Sequence, residues 1–159
     1  MNAMERQRLI DRYREGPVEV DRALDGIVDA ELDFRIADGE WTPREVVHHL
    51  ADSEMTSAIR IRRLIAEDEP VIVGYDQEEF ARKLSYGRPI AGSLLALAGA
   101  RASTADLLEQ FQESDWTRFG THSEYPEPFT VIGWLEYYAE HAHDHADQIR
   151  RSRAAYRDR

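Results

Sequence analysis

Apolar residues recur along this chain at helical rather than strand spacing. From Met4 to about Glu15 they fall at Leu9, Ile10 and Tyr13, and from Pro17 to about Asp29 at Val20, Leu24, Ile27 and Val28, the i, i+4, i+7, i+8 pattern of one helix face. Gly16-Pro17 stands between the two runs, which predicts either one kinked helix or a break and a restart. Leu32 to Glu40 reads as a loop closed by Asp38-Gly39. Thr42-Pro43-Arg44-Glu45 then sets a capping threonine, a proline at the first helical position and a glutamate three after the cap. The helix it starts is predicted to run to about Ala66, with Val46, Val47, Leu50, Ile61, Leu64 and Ile65 inward, and to stop at Glu67-Asp68-Glu69-Pro70.

Val71 to Tyr75 reads as extended, and Asp76 can cap a short helix from Gln77 to about Leu84. After a turn at Gly87-Arg88-Pro89, a helix from Ile90 to Phe111 carries Leu94, Leu95, Leu97, Leu107, Leu108 and Phe111. Ser114 to Phe129 is predicted as loop, and Thr130 caps a last helix from Val131 to about Arg157. Four long helices, one short helix and no convincing strand pair predict an all-α four-helix bundle. The long connection from Glu67 to Pro89 leaves room for a crossover. No linker parts two domains, so residues 1–159 are expected to form one domain.

Composition narrows the chemistry. The 159 residues include no cysteine, which excludes disulfides, iron–sulfur clusters, thiolate zinc sites and a cysteine nucleophile. A formal net charge of −11 disfavours nucleic acid as a partner, and no apolar run reaches the roughly 20 residues of a membrane span. With no apolar signal core after Met1, a cytoplasmic location is expected. No glycine-rich phosphate cradle and no Ser-His-Asp order stands out.

The six histidines are the informative residues. At roughly 100° per residue, His141 and His145 fall within about 20° of Trp134, on a face shared with Tyr138, Gln148 and Ile149, while His143 points about 180° away. Two imidazoles at i, i+4 can reach one metal ion. A third ligand has to come from His48, His49 or His122. On the Pro43–Ala66 helix, His49 lies about 110° from the apolar centre and His48 about 150°, so phase favours His49 and leaves His48 on the exposed side. Asp52, three residues after His49, is a candidate to orient that ring or another polar group, or to serve as a general base, with a plain surface charge as the alternative, and His122 is a second candidate base. Glu45-Val-Val-His48 and Glu140-His-Ala-His143 match the Glu-x-x-His element of di-iron bundles, but Glu140 and His143 fall on the outward face. Arg60, Arg62 and Arg63 pair with surface carboxylates or anchor an anionic substrate.

Trp41-Thr-Pro-Arg-Glu-Val-Val-His-His-Leu-Ala-Asp-Ser-Glu54, Pro70-Val-Ile-Val-Gly-Tyr-Asp76 and Tyr138-Ala-Glu-His-Ala-His-Asp-His-Ala-Asp-Gln-Ile149 resemble the motifs of the DinB-like superfamily, especially its YfiT-like branch of metal-dependent hydrolases and bacterial thiol S-transferases. The resemblance implies a four-helix bundle in which His49, His141 and His145 hold a divalent transition metal, zinc or nickel. It also implies transfer of a low-molecular-weight thiol to an electrophilic small molecule, with metal-dependent hydrolysis or a non-catalytic metal- or ligand-binding bundle as alternatives, and a homodimer. Many members carry histidine where this chain has Asp144.

Overall fold

The computed structural model describes residues Met1–Arg159. Four long helices, α1 (Ala3–Leu24), α3 (Pro43–Ala66), α5 (Ala91–Leu108) and α6 (Val131–Arg157), form the bundle. Two short ones, α2 (Asp29–Leu32) and α4 (Gln77–Lys83), lie in the connections. The starts of α3 and α6 fall where their signals place them. Thr42 and Glu45 form the reciprocal capping box, and the Thr130 hydroxyl accepts from the Gly133 N–H.

Paired residues give the helix directions. His143, Arg150 and Arg153 of α6 bond to Arg12, Glu19 and Ala23 of α1, so these two helices run parallel. His48 and Arg62 of α3 meet Ser93 and Thr104 of α5, again in parallel. The two pairs oppose each other, as Arg6 with Glu113 and Arg14 with Asp106 show. The order is therefore up, down, down, up, and the chain must cross back along the bundle between α3 and α5. The crossover allowed by the 67–89 connection is present.

Gly16-Pro17 does not break α1, which continues through Pro17 to Leu24. Proline removes the N–H that would bond the Tyr13 carbonyl. The Arg101 guanidinium takes that place, donating to Tyr13 O at 2.7 Å, to Tyr138 O at 2.9 Å and to Glu54 at 2.7 Å. A Cβ at Gly16 would collide with this guanidinium, so the glycine makes room for the arginine that repairs the proline. Glu54 also accepts from the Tyr13 hydroxyl, and burial together with Glu54 raises the Tyr13 pKa well above its usual value. This polar layer separates two apolar clusters, one around Ile61, Leu64 and Trp134, the other around Val20, Val47 and Ile149.

The 114–129 segment is not all loop. Phe119–His122 (β2) pairs in parallel with Val71–Ile72 (β1) and antiparallel with Phe129–Thr130 (β3). Such short strands carry no periodicity to read. Gly120 packs where a Cβ would strike the Pro70 carbonyl. The sheet ties the crossover to the segment before α6. No helix is long and apolar enough to cross a membrane.

Candidate metal centre

Every residue of α3 from Val46 to Glu54 is buried, which is unusual for one helix of a bundle. The cause is that α5, α6 and the crossover cover it on several sides at once. Each polar side chain in the run therefore goes to a different neighbour. His48 departs from the exposure expected of it: it is buried, because α5 lies on its face. Its Nδ1 meets Ser93 Oγ at 2.7 Å and its Nε2 meets the Arg88 carbonyl at 3.0 Å, so both ring nitrogens are engaged.

His49 turns the other way, towards α6. Its Nε2 lies 3.4 Å from the Nε2 of His141, and His145 completes a triangle with ring centres 4.9 Å from His49 and 4.7 Å from His141. One ligand atom from each of the three lies within 4.8 Å of the others, and no carboxylate joins the group. His145 Nδ1 bonds to Gln148 Oε1 at 2.7 Å, which places its proton on Nδ1 and leaves the Nε2 lone pair free. Trp41 packs against His49 at 4.6 Å and Tyr137 stacks on His141 at 5.3 Å.

Burial, with a smaller contribution from His145, lowers the His49 pKa to about 3. Burial, His145 and His49 lower that of His141 to about 2, and burial lowers that of His145 against the opposing bond to Gln148. All three rings are neutral at pH 7, the form in which imidazole binds metal. Tetrahedral zinc with Zn–N bonds of about 2.05 Å sets its ligand nitrogens about 3.3 Å apart, close to the 3.4 Å found between His49 and His141. Two facing nitrogens at that separation, with a third beside them, fit a cation. As a metal-free arrangement, only one donated proton can lie between the pair, whereas a cation accepts both Nε2 lone pairs; the two Nδ1 atoms are buried without a partner in either case.

The cluster lies between two cavities. One, of about 440 Å³, is lined by His49 and His141 together with Arg60, Tyr75, His122, Trp134 and Tyr137. The other, of about 350 Å³, is lined by all three histidines with Trp41, Glu78 and Gln148. The remaining sequence candidates divide. His122 reaches the first cavity, stacked on Tyr125 at 4.5 Å, and its Nδ1 accepts the Glu124 backbone N–H at 3.2 Å. With Nδ1 occupied, neutral His122 carries its proton on Nε2 and offers a donor rather than a base. Asp52 lines neither cavity, and its carboxylate accepts from the Tyr86 hydroxyl at 2.7 Å. It orients Tyr86 of the crossover rather than His49, because its helical phase turns it towards the returning chain. His143 is half-buried against α1 rather than solvated, its Nε2 on the Arg12 carbonyl at 2.9 Å, and it stays outside the cluster. Tyr75, Gln77 and Tyr137 also line the site. Tyr75 and Gln77 have only a weak signal in the sequence, since the crossover has no long helical phase to orient its side chains, whereas Tyr137 stands one turn before His141 on α6.

The geometry agrees with the comparisons to known proteins. The YfiT protein of Bacillus subtilis, named a putative metal-dependent hydrolase, is 32% identical over 146 residues, covering 91% of this chain and 82% of its own. A Geobacillus kaustophilus protein named in the same way is 34% identical over 152 residues, covering 92% and 83%. The solved YfiT structure, described as a probable metal-dependent hydrolase with an unusual four-helix bundle topology, superposes with a TM-score of 0.90 at 31% identity. It covers 96% of this chain and 87% of that one. The sequence profile of the DinB superfamily matches residues 12–149, and the chain belongs to that superfamily.

Proposed function

We propose that the chain is a metal-dependent enzyme in which His49, His141 and His145 hold one divalent transition metal, zinc or nickel. In this reading it transfers a small-molecule thiol to an electrophilic small molecule. The observation that carries the reading is the convergence of three neutral imidazoles between two cavities. A divalent ion bound by three such ligands keeps an open position and lowers the pKa of a thiol or water placed there. The chain supplies the rest. Gln148 fixes the His145 tautomer, and Trp41 and Tyr137 pack the rings in place.

Thiol transfer needs no general base once the sulfur is ionised, and neither base candidate of the sequence is free to act as one. Asp52 is held by Tyr86, and His122 presents a donor. The chain has no cysteine, so the sulfur arrives with the substrate. Hydrolysis at the same centre is the second reading. It is favoured by the names of the relatives and by Glu78 and Glu124 on the cavity walls as carboxylates able to take a proton from water.

Elemental analysis of the purified wild type and His145→Ala, followed by assays of the zinc- and nickel-loaded proteins, tests both. Near one equivalent of metal in the wild type, lost in the variant, with thiol-dependent conjugation of monobromobimane, is the expected result. Metal-dependent cleavage of p-nitrophenyl acetate without thiol conjugation assigns the hydrolase. No metal uptake rejects both enzymes and leaves a non-catalytic bundle. We also propose a homodimer, which a monomeric mass by light scattering rejects.

A further inference from the structure

Arg60 is the only cation lining the larger cavity. Its Nη2 donates to the Val73 carbonyl at 2.7 Å, its guanidinium lies 5.7 Å from the centre of the Tyr75 ring, and its Nε is buried with no hydrogen-bond partner. No carboxylate forms an ion pair with it, although the chain is strongly acidic. The arginines nearest in sequence show the contrast. Arg62 spends its donors on Ala58 O, Thr104 and Ser103, and Arg63 grips Glu67 through two nitrogens and bonds Val71 O. A guanidinium has five N–H donors in a fixed fork, and a buried donor left unpaired is destabilising. Arg60 therefore lines the same cavity as His49 and His141 with its Nη1 free of any protein partner.

The surroundings favour an anion there. His122 is kept neutral first by burial and then by the Arg60 charge, and its bond from Glu124 N–H leaves an N–H to give. The Tyr75 and Tyr137 phenols line the same wall and can donate. Glu124, the one carboxylate in the lining, is exposed and unpaired with Arg60. Tyr125, Phe129, Trp134 and Tyr138 add aromatic faces to the wall, among smaller polar residues such as Ser53 and Thr130.

We propose that Arg60, with His122 beside it, forms a carboxylate-binding subsite, so that the molecule entering this cavity is an apolar or aromatic carboxylate whose reactive end lies towards the three histidines. As a statement about substrate this rests on the metal-centre reading; as a statement about binding it does not require the metal. The test titrates chelator-treated full-length protein with 3-phenylpropionate and with 3-phenylpropan-1-ol, followed by calorimetry. The acid is expected to bind at least about tenfold more tightly than the alcohol, a difference of about 1.4 kcal/mol. Arg60→Gln equalises the two at the affinity of the alcohol, which also shows that the cavity is still folded, and Arg60→Lys retains part of the preference. Equal affinities in the wild type, a preference that survives Arg60→Gln, or no saturable binding of the acid at millimolar concentration overturns the subsite. Zinc uptake measured on the same preparations separates the two readings, because a carboxylate preference without metal uptake rejects the metal centre alone.

Discussion

Replacing Gly16 with alanine should reverse an ordinary expectation. Inside a helix this change normally stabilises by about 1 kcal/mol, since alanine is the better helix former. Here the added methyl meets the Arg101 guanidinium and lies 2.8 Å from the Ala142 side chain. Arg101 is fully buried and cannot move aside without weakening its bonds to Glu54, Tyr13 O or Tyr138 O. Overpacking costs about 1–3 kcal/mol. One buried acceptor left unpaired adds about 1–3 kcal/mol. After subtracting the gain in helix propensity, the net loss is about 3 kcal/mol, and at roughly 2–4 °C per kcal/mol for a chain of this size Tm falls by about 10 °C. Urea unfolding of Gly16→Ala, Arg101→Met and the double variant measures this. Arg101→Met alone is strongly destabilising because it strands Glu54. On that background the cost of Gly16→Ala should shrink by more than about 1 kcal/mol, since the clashing group is gone. A Gly16→Ala protein as stable as the wild type, or additive losses in the double variant, refutes the coupling between Gly16 and Arg101 that carries α1 through Pro17.

Gln148→Leu should weaken zinc affinity by about 10- to 100-fold in a chelator competition, because His145 loses the acceptor that sets its tautomer, while His143→Ala leaves affinity unchanged. The metal-free protein should lose stability on acidification from about pH 6.5 downward. The unfolded state takes up protons at the ordinary histidine pKa, whereas folded His49 and His141 do so only near 3 and 2. Paired carboxylates such as Glu19, Glu67 and Glu140 have their own values lowered and contribute only below about pH 4.5, so a urea midpoint that stays flat between pH 6.5 and 5 contradicts the burial of the cluster. Thr130→Ala should destabilise by about 1 kcal/mol in the same assay, through loss of the α6 cap.

Much of the architecture is legible in the sequence because it depends on local chemistry. The Thr42–Glu45 box and the Thr130 cap place two helix starts, and helical phase alone puts His141 and His145 together and turns His143 away. What is not legible depends on neighbours distant in sequence. A proline at position 17 looks like a break until Arg101 supplies the missing donor from another helix. His48 looks exposed by phase because phase measures one apolar direction, and α3 has neighbours in several. Arg60, Arg62 and Arg63 are chemically alike, and only their surroundings show that one is left unpaired. The crossover residues Tyr75, Gln77 and Tyr86 sit in short or extended pieces with no periodicity to orient them. Asp52 reads equally as serving His49 or another polar group, and only the fold decides for Tyr86.

The parallel run of α3 and α5 has a consequence for how such a protein can diversify. A bundle with short hairpin turns would leave the three histidines open at its flank. Here the chain has to return the length of the bundle before α5 can begin, and the returning segment becomes the wall of the chamber, bringing Tyr75, Gln77 and Glu78 to it. Ligands and wall thus lie on separate parts of the chain. The ligands sit on helices whose packing is tightly constrained, and the wall on a crossover whose helix α4 has no fully buried residue. Substitutions in that wall can retune what the chamber admits without disturbing the histidines, so related chains can inherit one histidine cluster and admit different ligands.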